Sequence, residues 1–208
     1  MSKTDKADGA GRVIGAHGGY RKLRSFQTAE MIYDATLVFC DRFVERSSRT
    51  RDQMIQAARS GVQNIAEGSM ASATSKKTEL KLTGVARASL EELLLDYEDF
   101  LRQRGLRMWA KDSPEAMAVR NLYRSDQSGR SEGSDKSDSY SIRTASAEKV
   151  ANTLICLINQ ASFLLGRQIR RLEESFVNDG GFTERLYQAR MKSRRSQTGR
   201  TLKDEITI

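Results

Sequence analysis

One proline, one histidine, one tryptophan and two cysteines in 208 residues exclude several classes of protein at the outset. A single Pro and a scarcity of alternating Val, Ile and Thr runs argue against sheet and for an all-α chain. Cys40 and Cys156 both fall in apolar helical patterns, without CxxC or metal-ligand spacing. They read as free buried thiols in a reducing compartment. Catalysis needs a positioned base, nucleophile or metal, and the one histidine, His17, sits in a Gly-rich stretch. A di-metal bundle site would require two Glu-x-x-His pairs. Neither enzymatic activity nor a cofactor or metal is therefore expected. The longest apolar run, residues 154–165, is interrupted by Asn159, Gln160 and Ser162 and is too short to span a bilayer. The first residues are polar and charged rather than a basic-apolar leader. The expected location is cytoplasmic, with no membrane partner.

Charge is present, but unevenly. The formal net charge is +8. Residues 1–28 carry six Lys/Arg against two Asp, and residues 178–208 carry seven Lys/Arg against four acids, so the ends hold most of the excess. The stretch between them is close to neutral in sum. Hydrophobic residues at 38% and charged residues at 30% leave room for uncovered tails or loops around one domain.

Five segments follow from periodicity and punctuation. Residues 1–19 are polar, Gly-rich and expected to be a flexible tail. Their resemblance to a phosphate loop fails for want of a Gly-Lys-Ser/Thr ending and a preceding strand. Residues 20–105 hold three helices of an antiparallel up-down four-helix bundle. The first is predicted over residues 23–45 from Leu23, Phe26, Ile32, Leu37, Phe39, Cys40 and Phe43 at spacings of three and four. Thr50, with Gln53 three residues on, is the predicted N-cap of the second. Gly68 is its predicted left-handed C-terminal cap. The third helix is predicted over residues 75–104, burying Leu82, Val85, Ala86, Leu90, Leu93 and Tyr97, and ended by Gly105. Glu92, Asp96 and Asp99 are expected on its outer side as one acidic face.

Residues 106–145 break the pattern. Ser113-Pro114-Glu115 is a helix-start signature, so a short helix to about residue 123 is expected. Residues 125–141 lack apolar periodicity and read as a disordered excursion, with Trp109 anchoring the connection. Residues 146–178 form the fourth and most apolar helix. Its Leu, Ile and Phe residues, Phe163 and Phe176 among them, cover more of the circumference than one three-helix groove hides. Either it sits centrally or the excess faces another subunit. Residues 179–208 form a basic tail that opens on Gly180-Gly181.

Between residues 56 and 93 both helices are rich in Ala, Ser and Gly on one side, which predicts a tight helix–helix seam. Ser60, Asn64, Glu67, Gly68, Ser89 and Glu92 mark it. Asn64 and Glu67 read as capping and packing residues, the alternative being a bond from Asn64 to backbone across the seam and an Arg partner for Glu67.

The order Tyr20-Arg-Lys-Leu-Arg-Ser-Phe-Gln, Arg59-Ser-Gly-Val-Gln-Asn-Ile-Ala-Glu-Gly68 and Ala86-Arg-Ala-Ser-Leu-Glu-Glu-Leu93 resembles the bacterial four-helix-bundle family first noticed in reading frames inside intervening sequences of large-subunit ribosomal RNA genes. The match covers residues 20–105, and the fourth helix by topology. The insertion and the Gly-Gly-Phe-Thr-Glu-Arg-Leu-Tyr segment look like the branch bearing a C-terminal suffix. The resemblance implies a homopentamer. It also implies kinship with the accessory variability determinant of diversity-generating retroelements, a barrel more basic in its body that binds RNA and a reverse transcriptase.

The sequence thus supports a non-enzymatic oligomeric scaffold that contacts the phosphates of RNA, or less readily of DNA. The candidate residues are Arg185, Arg190, Lys192, Arg194 and Arg195, with Arg21, Lys22 and Arg24 as a second patch and Tyr187 as a stacking group. Cations beside a helix N-terminus are locally unfavourable, a cost that a phosphate would relieve and that solvent also moderates. The alternative is a protein-interaction module without nucleic acid, in which the basic tail docks on Glu92, Asp96 and Asp99 of a neighbouring copy.

Overall fold

The computed structural model describes residues 19–128, 140–179, 183–184, 186–192 and 194. Among these residues the chain is helical and has no strand. A 3-10 turn, Gly19–Lys22, leads into α1 (Arg24–Phe43), α2 (Arg49–Ala71), α3 (Lys76–Gln103), α4 (Pro114–Ser128) and α5 (Ala147–Asp179). The described positions from 183 to 194 are helical as well. None of these helices is long and apolar enough to cross a membrane.

Each of the four long helices packs against two of the others, α1 on α2 and α5, and α3 on α2 and α5, while α4 lies on α5. Phe26, Ala29, Ile32, Phe39 and Cys40 of α1 are buried, following the three- and four-residue spacing. Phe39 is the aromatic hub of one end. Its ring centroid lies 4.9 Å from Tyr97 and 4.8 Å from Phe100, edge-to-face arrangements that add to the area they bury.

The helix boundaries have local causes. α1 stops at Phe43, two residues short of the expected end, because Val44 turns extended and the Ser48 amide closes a turn on the Glu45 carbonyl at 3.0 Å. That turn releases the chain early, so Ser48 rather than Thr50 is the N-cap of α2 and Thr50 lies inside the helix. Ser75 caps α3, its hydroxyl accepting from the Thr78 amide at 3.1 Å. Gly105 ends it with φ +63°. The Leu106 amide returns to the Leu101 carbonyl at 2.9 Å and the Gly105 amide to that of Arg102 at 3.2 Å, a Schellman closure that needs a left-handed residue. α4 starts at Pro114 as expected but runs on to Ser128, so residues 125–128 are helical. The rest of the expected excursion up to residue 139 lies outside the described residues, as do residues 1–18 and the Gly180-Gly181 break.

Gly68 is not a C-cap. α2 continues past it to Ala71 and Gly68 is buried. A Cβ there would stand 3.3 Å from the Glu79 backbone carbonyl. At Gly61 a Cβ would meet Leu90 Cδ2 at 2.9 Å. Residues later in α2 thus meet residues earlier in α3, so the two helices run in opposite directions, and the small residues set their close approach. Not every residue expected inside is inside. Val85 is 39% exposed, Phe163 56% and Phe176 40%. The apolar circumference of α5 therefore exceeds what its neighbours among the described residues cover.

Candidate nucleic-acid interface

The cations predicted at the start of α1 lie beside a helix start that has no side-chain cap. Arg21 and Lys22 close the 3-10 turn and Arg24 opens α1, all three exposed. The N-cap is Leu23, which has no side-chain acceptor, and the first turn contains no acid. A helix start without a capping oxygen leaves its first amides to solvent or to an anion. The Arg21 guanidinium lies 5.4 Å from the Tyr20 ring centroid, and its carbonyl accepts from Gln27 Nε2 at 2.8 Å.

Folding brings Lys22 and Arg24 opposite Arg167 and Arg171 of α5. The four line one cleft of about 500 Å³ together with Leu23, Ser25, Ser69, Glu79, Leu164, Gln168 and Leu172. The Ser25 hydroxyl donates to Gln168 Oε1 at 2.8 Å, tying α1 to α5 across the cleft floor. Glu79 is its one acid and is already met by Lys76 Nζ at 3.3 Å. Lys22, Arg167 and Arg171 form no ion pair with a described residue. Arg21 is not among the lining residues.

Arg167 and Arg171 were hidden in the sequence by arithmetic. They are one helical turn apart, which puts them on one face, but Glu173 and Glu174 follow and cancel them in any segment sum. Of the tail residues, Arg190, Lys192 and Arg194 are exposed on helical positions and Tyr187 is 64% exposed. Arg185 and Arg195 lie outside the described residues. None of the described tail residues lines the cleft.

The seam residues serve packing. The Ser60 and Ser89 hydroxyls meet at 3.0 Å between α2 and α3. Asn64 does not reach across: its Nδ2 donates to the Ser60 carbonyl at 2.9 Å and to Ser60 Oγ at 3.1 Å, within its own helix. Glu67 is exposed and has no ion-pair partner among the described residues.

The predicted acidic face is not uniform. Glu92 and Asp99 are exposed, but Asp99 is engaged by Arg102 Nη2 at 2.7 Å. Asp96 is half-buried in a cavity of about 160 Å³ between Val44, Met54 and Phe100. Its Oδ2 is buried without a hydrogen-bond partner among the described residues. Burial first, then the charges of Glu92 and Asp99, raise its carboxyl above the ordinary aspartate value. Among the described residues no group of three or more His, Cys, Asp or Glu side chains gathers as a metal site.

In comparisons with protein-family models, curated proteins and solved structures, none matched the chain. The functional reading rests on its own residues.

Proposed function

We propose that the protein is a non-enzymatic helical scaffold that associates with nucleic acid through its phosphates, RNA in preference to DNA. In this reading the four long helices are an up-down bundle of the intervening-sequence family, with α4 carried on an insertion and a basic C-terminal suffix. Copies assemble into a ring, a pentamer by that resemblance, and cover the excess apolar surface of α5. The observation that carries the proposal is the cleft lined by Lys22, Arg24, Arg167 and Arg171, of which Lys22, Arg167 and Arg171 form no ion pair with a described residue, and whose one acid already has a partner. Cations from two helices on one cavity repel each other until an anion enters, and arginine forks match phosphate oxygens. The exposed Arg190, Lys192 and Arg194 add weaker contacts that a ring would multiply. Nothing in the set reads base edges, so the contacts position a strand rather than select a sequence.

Purification without nuclease, with the absorbance ratio and the light-scattering mass read together, tests both halves. Bound nucleic acid and a multiple of the subunit mass are expected. On duplex DNA, affinity should fall with a log–log salt slope of about −0.9 per neutralised phosphate. Affinity for RNA and DNA that stays flat from low to moderate salt would end the proposal.

The second reading, a protein-contact module, is favoured by Leu95 at 61% exposure on α3 and Phe163 at 56% on α5. Recovery of a protein partner after nuclease treatment, with no nucleic acid bound, would select it.

A further inference from the structure

A second cavity, of about 480 Å³, lies between α4 and the first turns of α5. Thr153, its furthest residue along α5, precedes Leu164 of the cationic cleft by eleven positions, roughly 16 Å of helix. Its apolar lining is Trp109, Val119, Leu122 and the buried Tyr140. Three bonds tie the surrounding segments to the bundle. The Tyr123 hydroxyl meets that of Thr28 at 2.8 Å, Asn152 Oδ1 holds the Trp109 amide at 2.7 Å, and Arg42 Nη2 holds the Ala145 carbonyl at 2.8 Å. A cavity of this volume, apolar with a few polar groups, has the form of a small-ligand site. The chain that precedes Tyr140 offers it no apolar filling, since residues 129–139 are all Gly, Ser, Asp, Glu, Lys or Arg.

Three ionic side chains line it: Glu115, Glu148 and Lys149. Glu115 is engaged by Arg107 Nη2 at 3.1 Å. Glu148 accepts the Arg107 amide at 3.4 Å, but neither it nor Lys149 forms an ion pair with a described residue. One carboxylate and one ammonium thus stand at consecutive positions beside an apolar hollow. A lone cation would meet Lys149 as well as Glu148, and a lone anion would meet Glu148 as well as Lys149. A neutral guest would leave both to water. A guest that carries both signs satisfies each with a charge-assisted bond. We infer that this cavity binds a free amino acid with a large apolar side chain, its ammonium on Glu148 and its carboxylate on Lys149. The side chain lies among Trp109, Val119, Leu122 and Tyr140. The site goes beyond the nucleic-acid reading and does not rest on it.

Trp109 is the one tryptophan of the chain, so its fluorescence reports on the cavity directly. The full chain is titrated with phenylalanine and with leucine. Three further probes each lack one part: phenethylamine the carboxylate, hydrocinnamate the amine and glycine the side chain. Calorimetry on the same samples covers a complex that is optically silent. Phenylalanine should give a saturable change and bind about fivefold tighter or more than each of the three, the effect of losing one charge-assisted contact or the apolar burial. Lys149 is exposed, so Lys149→Gln should keep the fold and bring phenylalanine down to the affinity of phenethylamine. Glu148→Gln should bring it down to that of hydrocinnamate. No saturable signal by either method with phenylalanine or leucine would overturn the inference. So would a stripped probe that binds as tightly as phenylalanine, or an affinity unchanged in both variants. None of these results touches the residues assigned to phosphate, so the proposed function stands or falls separately.

Discussion

The Tyr97 hydroxyl donates to Thr36 Oγ1 at 3.1 Å, and the Thr36 hydroxyl in turn donates to the Ile32 carbonyl at 2.7 Å. Both side chains are fully buried, and burial holds the phenol protonated, well above its ordinary value. Removal of the two partners has unequal consequences. Tyr97→Phe leaves Thr36 its bond to Ile32 and should cost about 0.5–1.5 kcal/mol in denaturant unfolding. Thr36→Val strands a buried phenolic O–H and should cost more, about 1–3 kcal/mol.

Three glycines in α2 and α3 should respond differently to substitution. At Gly84 nothing lies within 4 Å, so Gly84→Ala should raise stability by about 0.5–1 kcal/mol through helix propensity. At Gly61 the same change meets both Cδ2 and Cγ of the fully buried Leu90 side chain, so overpacking should outweigh the gain in propensity. At Gly68 the obstacle is backbone. Gly68→Leu should therefore be destabilising by about 1–3 kcal/mol. Thermal and urea unfolding of the three variants would establish the order.

Asp96 should make the fold less stable as its proton leaves. Its carboxyl is raised above 3.8 in the folded chain by burial, then by Glu92 and Asp99, so the folded state binds that proton more tightly than the unfolded state does. The contribution is fully present below the unfolded value and is lost as pH rises through the raised folded value. Asp96→Asn should consequently be more stable than wild type at neutral pH. The difference should vanish toward acid pH in urea titrations run from about pH 3 to about pH 7.

Asn152 fastens the segment that follows α3. Its Oδ1 accepts from the Trp109 amide at 2.7 Å, and its Nδ2 donates to the Arg107 and Glu148 carbonyls, each at 2.9 Å. Asn152→Leu should cost about 2–4 kcal/mol for the three bonds. Hydrogen exchange at the Trp109 amide should accelerate ahead of exchange in α3.

Features written in neighbouring residues were legible in the sequence. The Gly105 stop and the Pro114 start each depend on residues within five positions, and each appears where the pattern puts it. The burial of Cys40 also follows from its place in the α1 periodicity, and desolvation pushes its thiol up to about 12. What was missed involves partners far apart. Gly68 looks like a cap until Glu79 is placed against it. Asn152 looks like an interruption in an apolar helix until Arg107 and Trp109 arrive. Arg167 and Arg171 acquire meaning from Lys22 and Arg24, more than a hundred positions away. A one-dimensional reading averages charge over segments, whereas a cleft gathers it from separate ones.

The chain is fastened on either side of residues 129–139. The Tyr123 and Thr28 hydroxyls meet at 2.8 Å before that interval, and after it Arg42 grips the Ile142 carbonyl and, at 2.8 Å, that of Ala145. Its two ends are thereby each fastened to α1. Each flank therefore keeps its own hold on α1 whatever the length of chain between them. A reporter peptide or an entire foreign domain spliced there should leave the helices on which it is hung undisturbed.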